Sequence, residues 1–224
     1  MATLTQLRVA LRTRLAFGDK TDSSNGSLDQ TGATSLLNAA MRRIYAACWT
    51  QCPDIFTKQT TLTYTANAES VALPSSSPDL RGRPIREVAA LLTAGSSDPS
   101  ERRVLKAITQ PEMSIYDGLN DPMVYALGLA DYTIWLRPVP TADATLYLKY
   151  IPGIADLSGS SDTPTFLPSE FHDVIVDEAA VEYLESSGDV QLQATVLRAR
   201  DRKLQRALAA FDDMHTASGF RHMP

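Results

Sequence analysis

The hydrophobic period of this chain changes twice, and few architectures accommodate that. Apolar residues recur at helical spacing as far as Pro53, at close to two residues from Ile55 to Ile151, and at helical spacing again from residue 169. In residues 3–17, Leu4, Leu7, Leu11 and Leu15 step by three, four and four, with Arg8, Arg12 and Arg14 mostly off that stripe. This is the pattern of an amphipathic helix. The polar stretch "GDKTDSSNGSLDQTGATS" that follows reads as a loop. A second helix is expected over 34–51, with Leu37, Met41, Ile44 and Cys48 on one face and Pro53 as its stop.

In the middle third, "FTKQTTLTYT", "ESVALP", "PIREVAALLTA", "RRVLKAIT" and "MVYALG" are short β-branched runs separated by Pro, Gly and Ser. That punctuation predicts an antiparallel sandwich or barrel. The stretch "DYTIWLRPVPTADATLYLKYIPGI" (131–154) closes it and reads as a hairpin. Tyr132, Ile134 and Leu136 would share one face of its first strand, and Leu146, Leu148 and Tyr150 one face of its second. Pro138 and Pro140 would end the first strand, since neither can donate to a ladder.

Two helices are expected after the linker. Residues 169–187 carry Phe171, Val174, Ile175, Val181 and Leu184 on more than one side. Residues 189–213 place Val190, Ala194, Leu197, Asp201, Leu204, Leu208 and Phe211 at alternating steps of four and three, a coiled-coil-like seam with one polar break. The fold class is therefore α+β. Residues 1–53 and 165–213 form one bundle of four main helices, because neither pair alone can cover its apolar face. Residues 54–155 form the inserted antiparallel β domain, and 214–224 a tail.

Composition narrows function mainly by exclusion. A net charge of −5 over 224 residues argues against affinity for a nucleic acid along its whole length. Arginines interrupt the apolar residues of the first helix, and the chain has no run of eighteen apolar residues, so neither a secretion signal nor a membrane span is expected. Cys48 and Cys52 read as reduced, packed thiols made in a reducing cytoplasm. The three histidines are too scattered to complete a metal site, and no cofactor is expected. No nucleophile-elbow, zinc-protease, phosphate-loop or dinucleotide fingerprint is present. The acid pairs Asp177–Glu178 and Asp212–Asp213 diverge around a helix and read as solvated faces.

The charge order along the chain is unusual. No Lys or Arg occurs between Lys149 and Arg198, while Asp156, Asp162, Glu170, Asp173, Asp177, Glu178, Glu182, Glu185 and Asp189 all fall there. Arg198, Arg200, Arg202, Lys203 and Arg206 follow in a cluster. Two antiparallel helices of one subunit could pair these charges, or the acidic helix of one subunit could meet the basic helix of its neighbour. In the tail "DMHTASGFRHMP", Phe220 and Met223 are candidate apolar anchors for a partner, against the plain reading of a frayed end.

Four stretches in this order resemble the head-to-tail adaptor proteins of tailed bacteriophages: "LLNAAMRRIY", "DPMVYALG" with "YTIWLRPVP", "LYLKYIPGIADLS", and "LPSEFHDVIVDEAAVEYL". Lys149–Tyr150 stands where that family commonly has two tyrosines. The resemblance implies a structural virion protein with no catalytic residues, located at the head–tail junction and assembled in the host cytoplasm. The implied partners are the portal protein, tail nozzle, tail fibre or tailspike proteins, and other copies of itself in a twelve-fold ring. Packaged DNA would pass through the ring without specific binding. On this reading Phe220, Arg221 and Met223 would bind the portal, Glu178, Glu182 and Glu185 would line the channel, and Arg198, Arg202 and Arg206 would meet a neighbouring subunit. Rival readings are another phage tail or minor capsid protein, or a carbohydrate- or protein-binding β module presenting Tyr132, Trp135, Tyr147 and Tyr150.

Overall fold

The computed structural model describes residues 2–15, 28–75, 79–91, 102–117, 124–128 and 130–217. The fold is mixed α+β, and the chain divides into two compact units, Met1–Ile55 with Ile154–Pro224 and Phe56–Gly153.

The helical unit holds α1 (Leu4–Arg14), α2 (Gln30–Gln51), α4 (His172–Ser187) and α5 (Val190–Ala217), and a short helical turn α3 begins at Pro53. Helix α1 starts in a capping box: Gln6 N–H donates to Thr3 Oγ1 at 3.4 Å and Thr3 N–H to Gln6 Oε1 at 2.9 Å. Helix α2 begins four residues before its expected start, because Asp29 Oδ1 accepts from Gly32 N–H at 2.6 Å and supplies the cap. What read as loop is thus partly first turn. Helix α4 ends at Gly188, whose φ of 77° is left-handed, with its N–H donating to Leu184 C=O at 3.0 Å. Helix α4 packs against α1, α2 and α5, which explains its apolar residues on several sides.

Helix α5 departs from expectation in two ways. It runs to Ala217, past the expected boundary at 213. Leu204 and Phe211 of the expected seam are buried, but the rest of the buried stripe is Val196 and Ala207, whereas Val190 and Ala194 of the seam are exposed and Leu197 and Leu208 only half-buried. At about 100° per residue the two stripes lie roughly a quarter-turn apart.

The β unit contains two four-stranded sheets. One has the order β1 (Lys58–Tyr64), β8 (Ala144–Tyr150), β3 (Ile85–Leu91), β4 (Arg102–Val104). The other has the order β2 (Ser70–Ala72), β7 (Thr133–Arg137), β6 (Val124–Gly128), β5 (Lys106–Ala107). Their inner faces meet in one apolar cluster that includes Tyr64, Val88, Leu146 and Leu148 from the first sheet and Tyr125, Ile134 and Leu136 from the second. The outer face of β6 is covered as well, by a 3-10 segment Gln110–Tyr116 carrying buried Met113, so Val124 and Ala126 are also buried. That double burial is why "VYALG" is apolar without alternation.

Three expectations for this unit are corrected. Strands β7 and β8 are not a hairpin, because they lie in different sheets and residues 138–143 carry the chain across. The β1–β2 connection crosses beside it, with Asn67 N–H donating to Pro140 C=O and Ala66 N–H to Asp143 Oδ1, each at 2.8 Å. Alternation tells which face a residue takes, and nothing in it names the neighbouring strand. Second, Tyr132 is not on the strand face with Ile134 and Leu136. It sits in the preceding turn at φ 49° and is 41% exposed. Third, β5 and β6 pair in parallel, so the sheets are not wholly antiparallel.

Cys48 is buried and Cys52 half-buried at the end of α2, both as free thiols. Burial, with a smaller contribution from Cys52, pushes the Cys48 thiol up to about 12, and burial followed by Asp212 raises Cys52 as well. A thiol reagent at mildly alkaline pH should therefore modify Cys52 in the native protein and Cys48 only after denaturation. Equal native labelling of both would contradict this placement.

Candidate functional site

The most concentrated chemistry in the described residues lies along α4. Asp177 is 0% exposed and meets two cations, Lys203 Nζ at 2.6 Å from Oδ2 and Arg14 Nη2 at 3.0 Å from Oδ1. Lys203 also lies 3.6 Å from Asp173. One position further on, Glu178 is buried between Arg200 at 3.2 Å and Arg43 at 3.6 Å, and Arg43 continues to Glu182 at 3.3 Å. Cations from α1, α2 and α5 thus converge on carboxylates of one helix. Asp177 Oδ1, Glu178 Oε2 and Glu182 Oε2 are buried and ion-paired without a well-directed hydrogen bond. Charge neutralisation, more than hydrogen bonding, satisfies these atoms.

This corrects the solvated-face reading of Asp177–Glu178, while Asp212 and Asp213 are exposed as expected. A signal was present in the sequence. Val174, Ile175, Val176, Ala179 and Ala180 surround the two acids, and a helix that apolar all round leaves no face for water. The antiparallel account of the α4 and α5 charges holds for Arg200 and Lys203. It does not hold for Arg198, Arg202 and Arg206, which are exposed with no carboxylate at ion-pair distance among the described residues.

Of the three carboxylates expected on a channel wall, Glu178 and Glu182 are engaged inside the subunit and Glu185 is exposed. Phe220, Arg221 and Met223 lie outside the described residues.

A second constellation holds the chain where it returns from the β unit. Asn38 is buried in α2. Its Nδ2 donates to Leu157 C=O at 3.1 Å and its Oδ1 accepts from Leu157 N–H at 2.9 Å. On the same face of α2, Arg42 pairs with Asp156 at 2.5 Å and the Tyr45 ring meets Phe166 edge-on at 5.2 Å. The segment so pinned caps α1: Leu4 N–H donates to Asp162 C=O at 2.7 Å and Thr5 N–H to Ser160 C=O at 3.2 Å. Its bend is fixed by the Asp162 carboxylate, which accepts from the N–H groups of Ser158 and Gly159 at 2.8 and 2.7 Å. Those bonds, Ser158 first, hold the Asp162 carboxyl below the ordinary range. His172 completes the tie, accepting from Ala2 N–H through Nδ1 at 3.3 Å while Nε2 lies 3.0 Å from Leu167 C=O.

The aromatics of the rival β-module reading do not share a face. Tyr150 is in the core, Tyr147 lies under the Arg102 guanidinium at 3.8 Å, Trp135 belongs to the other sheet, and Tyr132 is in a turn. Among the described residues no group of three or more metal-ligating side chains is present, and no helix is long and apolar enough to cross a membrane.

A family model described as SU10 adaptor protein matches residues 2–223. No curated protein matches the chain.

Proposed function

The chain belongs to the SU10 adaptor protein family, a family of phage head–tail adaptors, and from that we propose that it forms the ring joining the portal of the head to the tail. The observation that carries this is the span of the match, which takes in both helical ends and the inserted β unit. The described residues are consistent with a structural role, because their concentrated chemistry ties helices together. On this proposal the helical unit is a bundle of four main helices, the β unit is a sandwich, and the protein is not an enzyme.

An adaptor must be soluble before assembly and adhere firmly afterwards. Many weak contacts repeated around a twelve-fold ring achieve this by avidity without one strong site. The ring would dock on the portal and receive the tail nozzle with its fibres or tailspikes, sealing the channel through which DNA passes. Acidic side chains on the channel wall repel phosphate and let it slide. With Glu178 and Glu182 neutralised within the subunit, that task falls to Glu185.

The C-terminal residues are proposed to order on the portal, with Phe220 and Met223 as anchors and Arg221 between them. Removing 218–224 should leave the unfolding midpoint unchanged while abolishing capture of the subunit by portal-bearing heads. The direct test is assembly without this protein: filled heads lacking tails are expected, and tailed, infectious particles would overturn the proposal.

A further inference from the structure

We propose that Arg12 and the first turn of α2 hold a small oxyanion of the phosphate class, at a site that stands independently of the adaptor reading. Arg12 is only 9% exposed, and its Nε is buried without a hydrogen-bond acceptor. The buried acids Asp177 and Glu178 each meet two cations, whereas no carboxylate among the described residues lies at ion-pair distance from Arg12. A guanidinium cannot shed its charge by losing a proton. Its burial without a counter-charge is therefore a standing cost that a bound anion removes.

The register of α1 against α2 aims Arg12 at the start of α2. The segment 157–162 meets α2 at Asn38 and α1 at Leu4 and Thr5, so the beginning of α1 lies beside the Asn38 turn. One turn further along α1, Arg8 donates from Nε and Nη2 to Thr34 Oγ1 at 2.9 and 2.7 Å, and Thr34 is one turn nearer the start of α2. The two helices therefore run antiparallel, and Arg12, one turn beyond Arg8 on the same edge of α1, comes level with Gln30. Thr34 Oγ1 is committed, donating to Gln30 C=O at 2.6 Å. Asp29 is committed too: its Oδ1 accepts from Gly32 N–H at 2.6 Å and its C=O from Ala33 N–H at 3.0 Å. The N–H groups of Gln30 and Thr31 have no acceptor among the described residues. A planar fork of donors beside two unpaired N–H groups, at the positive end of a 22-residue helix, is the chemistry that binds an oxyanion.

The test compares thermal unfolding of the purified full-length chain in potassium phosphate and in potassium chloride of matched ionic strength, with phosphate binding followed by phosphorus NMR. The protein is expected to broaden the phosphate resonance, and phosphate to raise the unfolding midpoint saturably. Arg12→Met should abolish both effects. In chloride it should unfold at the same temperature or higher, because an apolar side chain replaces a buried charge that lacks a counter-ion. Measured in the same buffers, that variant also subtracts the general strengthening that phosphate gives any fold. Arg12→Lys keeps the charge and loses the fork, so it should bind phosphate more weakly than the unaltered chain. Asp19→Asn and Asp22→Asn should change neither the midpoint in chloride nor the response to phosphate. Absence of line broadening, or an equal rise of the midpoint in the unaltered and Arg12→Met chains, would overturn the proposal. A chloride midpoint lowered by Arg12→Met would overturn it too, and an Asp variant reproducing that loss would identify the chain's own carboxylate as the counter-ion.

Discussion

Replacing Asp177 by Ala should destabilise the helical unit by about 3–5 kcal/mol, the range for removing one partner of a buried ion pair. The carboxylate has no access to solvent, and Lys203 and Arg14 sit at 2.6 and 3.0 Å from it. Without it, two cations from helices far apart in sequence are left facing each other across an apolar helix. Arg14 is partly exposed and can turn outward, and Lys203 keeps Asp173 at 3.6 Å, so the lower half of the range is favoured. Urea unfolding of the two proteins gives the difference. Removing Lys203 as well, by Lys203→Met, should recover part of the loss, since the cost is that of an orphaned charge. A midpoint unmoved by Asp177→Ala would show that the ion pairs contribute nothing net to stability.

The same cluster shows where the sequence stops being informative. The change of period made the α+β class and the middle placement of the strands readable, because burial of a helix face and of a strand face leaves different spacings. Strand partners left no such trace. The β7 and β8 segments alternate as strands of a hairpin would, and only the paired crossings at 65–69 and 138–143 assign them to different sheets. The α5 seam misled for a related reason. A heptad marks which residues are apolar, but the fold chose the stripe on which Arg200 and Lys203 could also reach the acids of α4. Asn38 was visible only as a motif residue in "LLNAAMRRIY". Its purpose depends on Leu157, which lies 119 residues away, and no local pattern could pair them.

Asn38→Leu should cost about 2–6 kcal/mol, because it leaves both backbone groups of Leu157 buried without partners at about 1–3 kcal/mol each. Leu is close to Asn in size and apolar, so lost packing contributes little and the effect isolates the hydrogen bonds. The exposed Arg42–Asp156 pair supplies a contrast on the same helix face, and Arg42→Ala should shift stability by no more than about 1 kcal/mol. The two readings of Asn38 differ in reach. If it only fills a local gap, hydrogen exchange should quicken around residue 157 and nowhere else. If it anchors the returning segment, the carbonyls of Ser160 and Asp162 lose their placement too, and the amides of Leu4 and Thr5 at the start of α1 should exchange faster. The geometry favours the second outcome, since nothing but that segment accepts those two amides among the described residues. Unchanged exchange at Leu4 and Thr5 would confine Asn38 to local packing, and would mean that α1 is held to the helical unit by its leucine face and Arg14 alone.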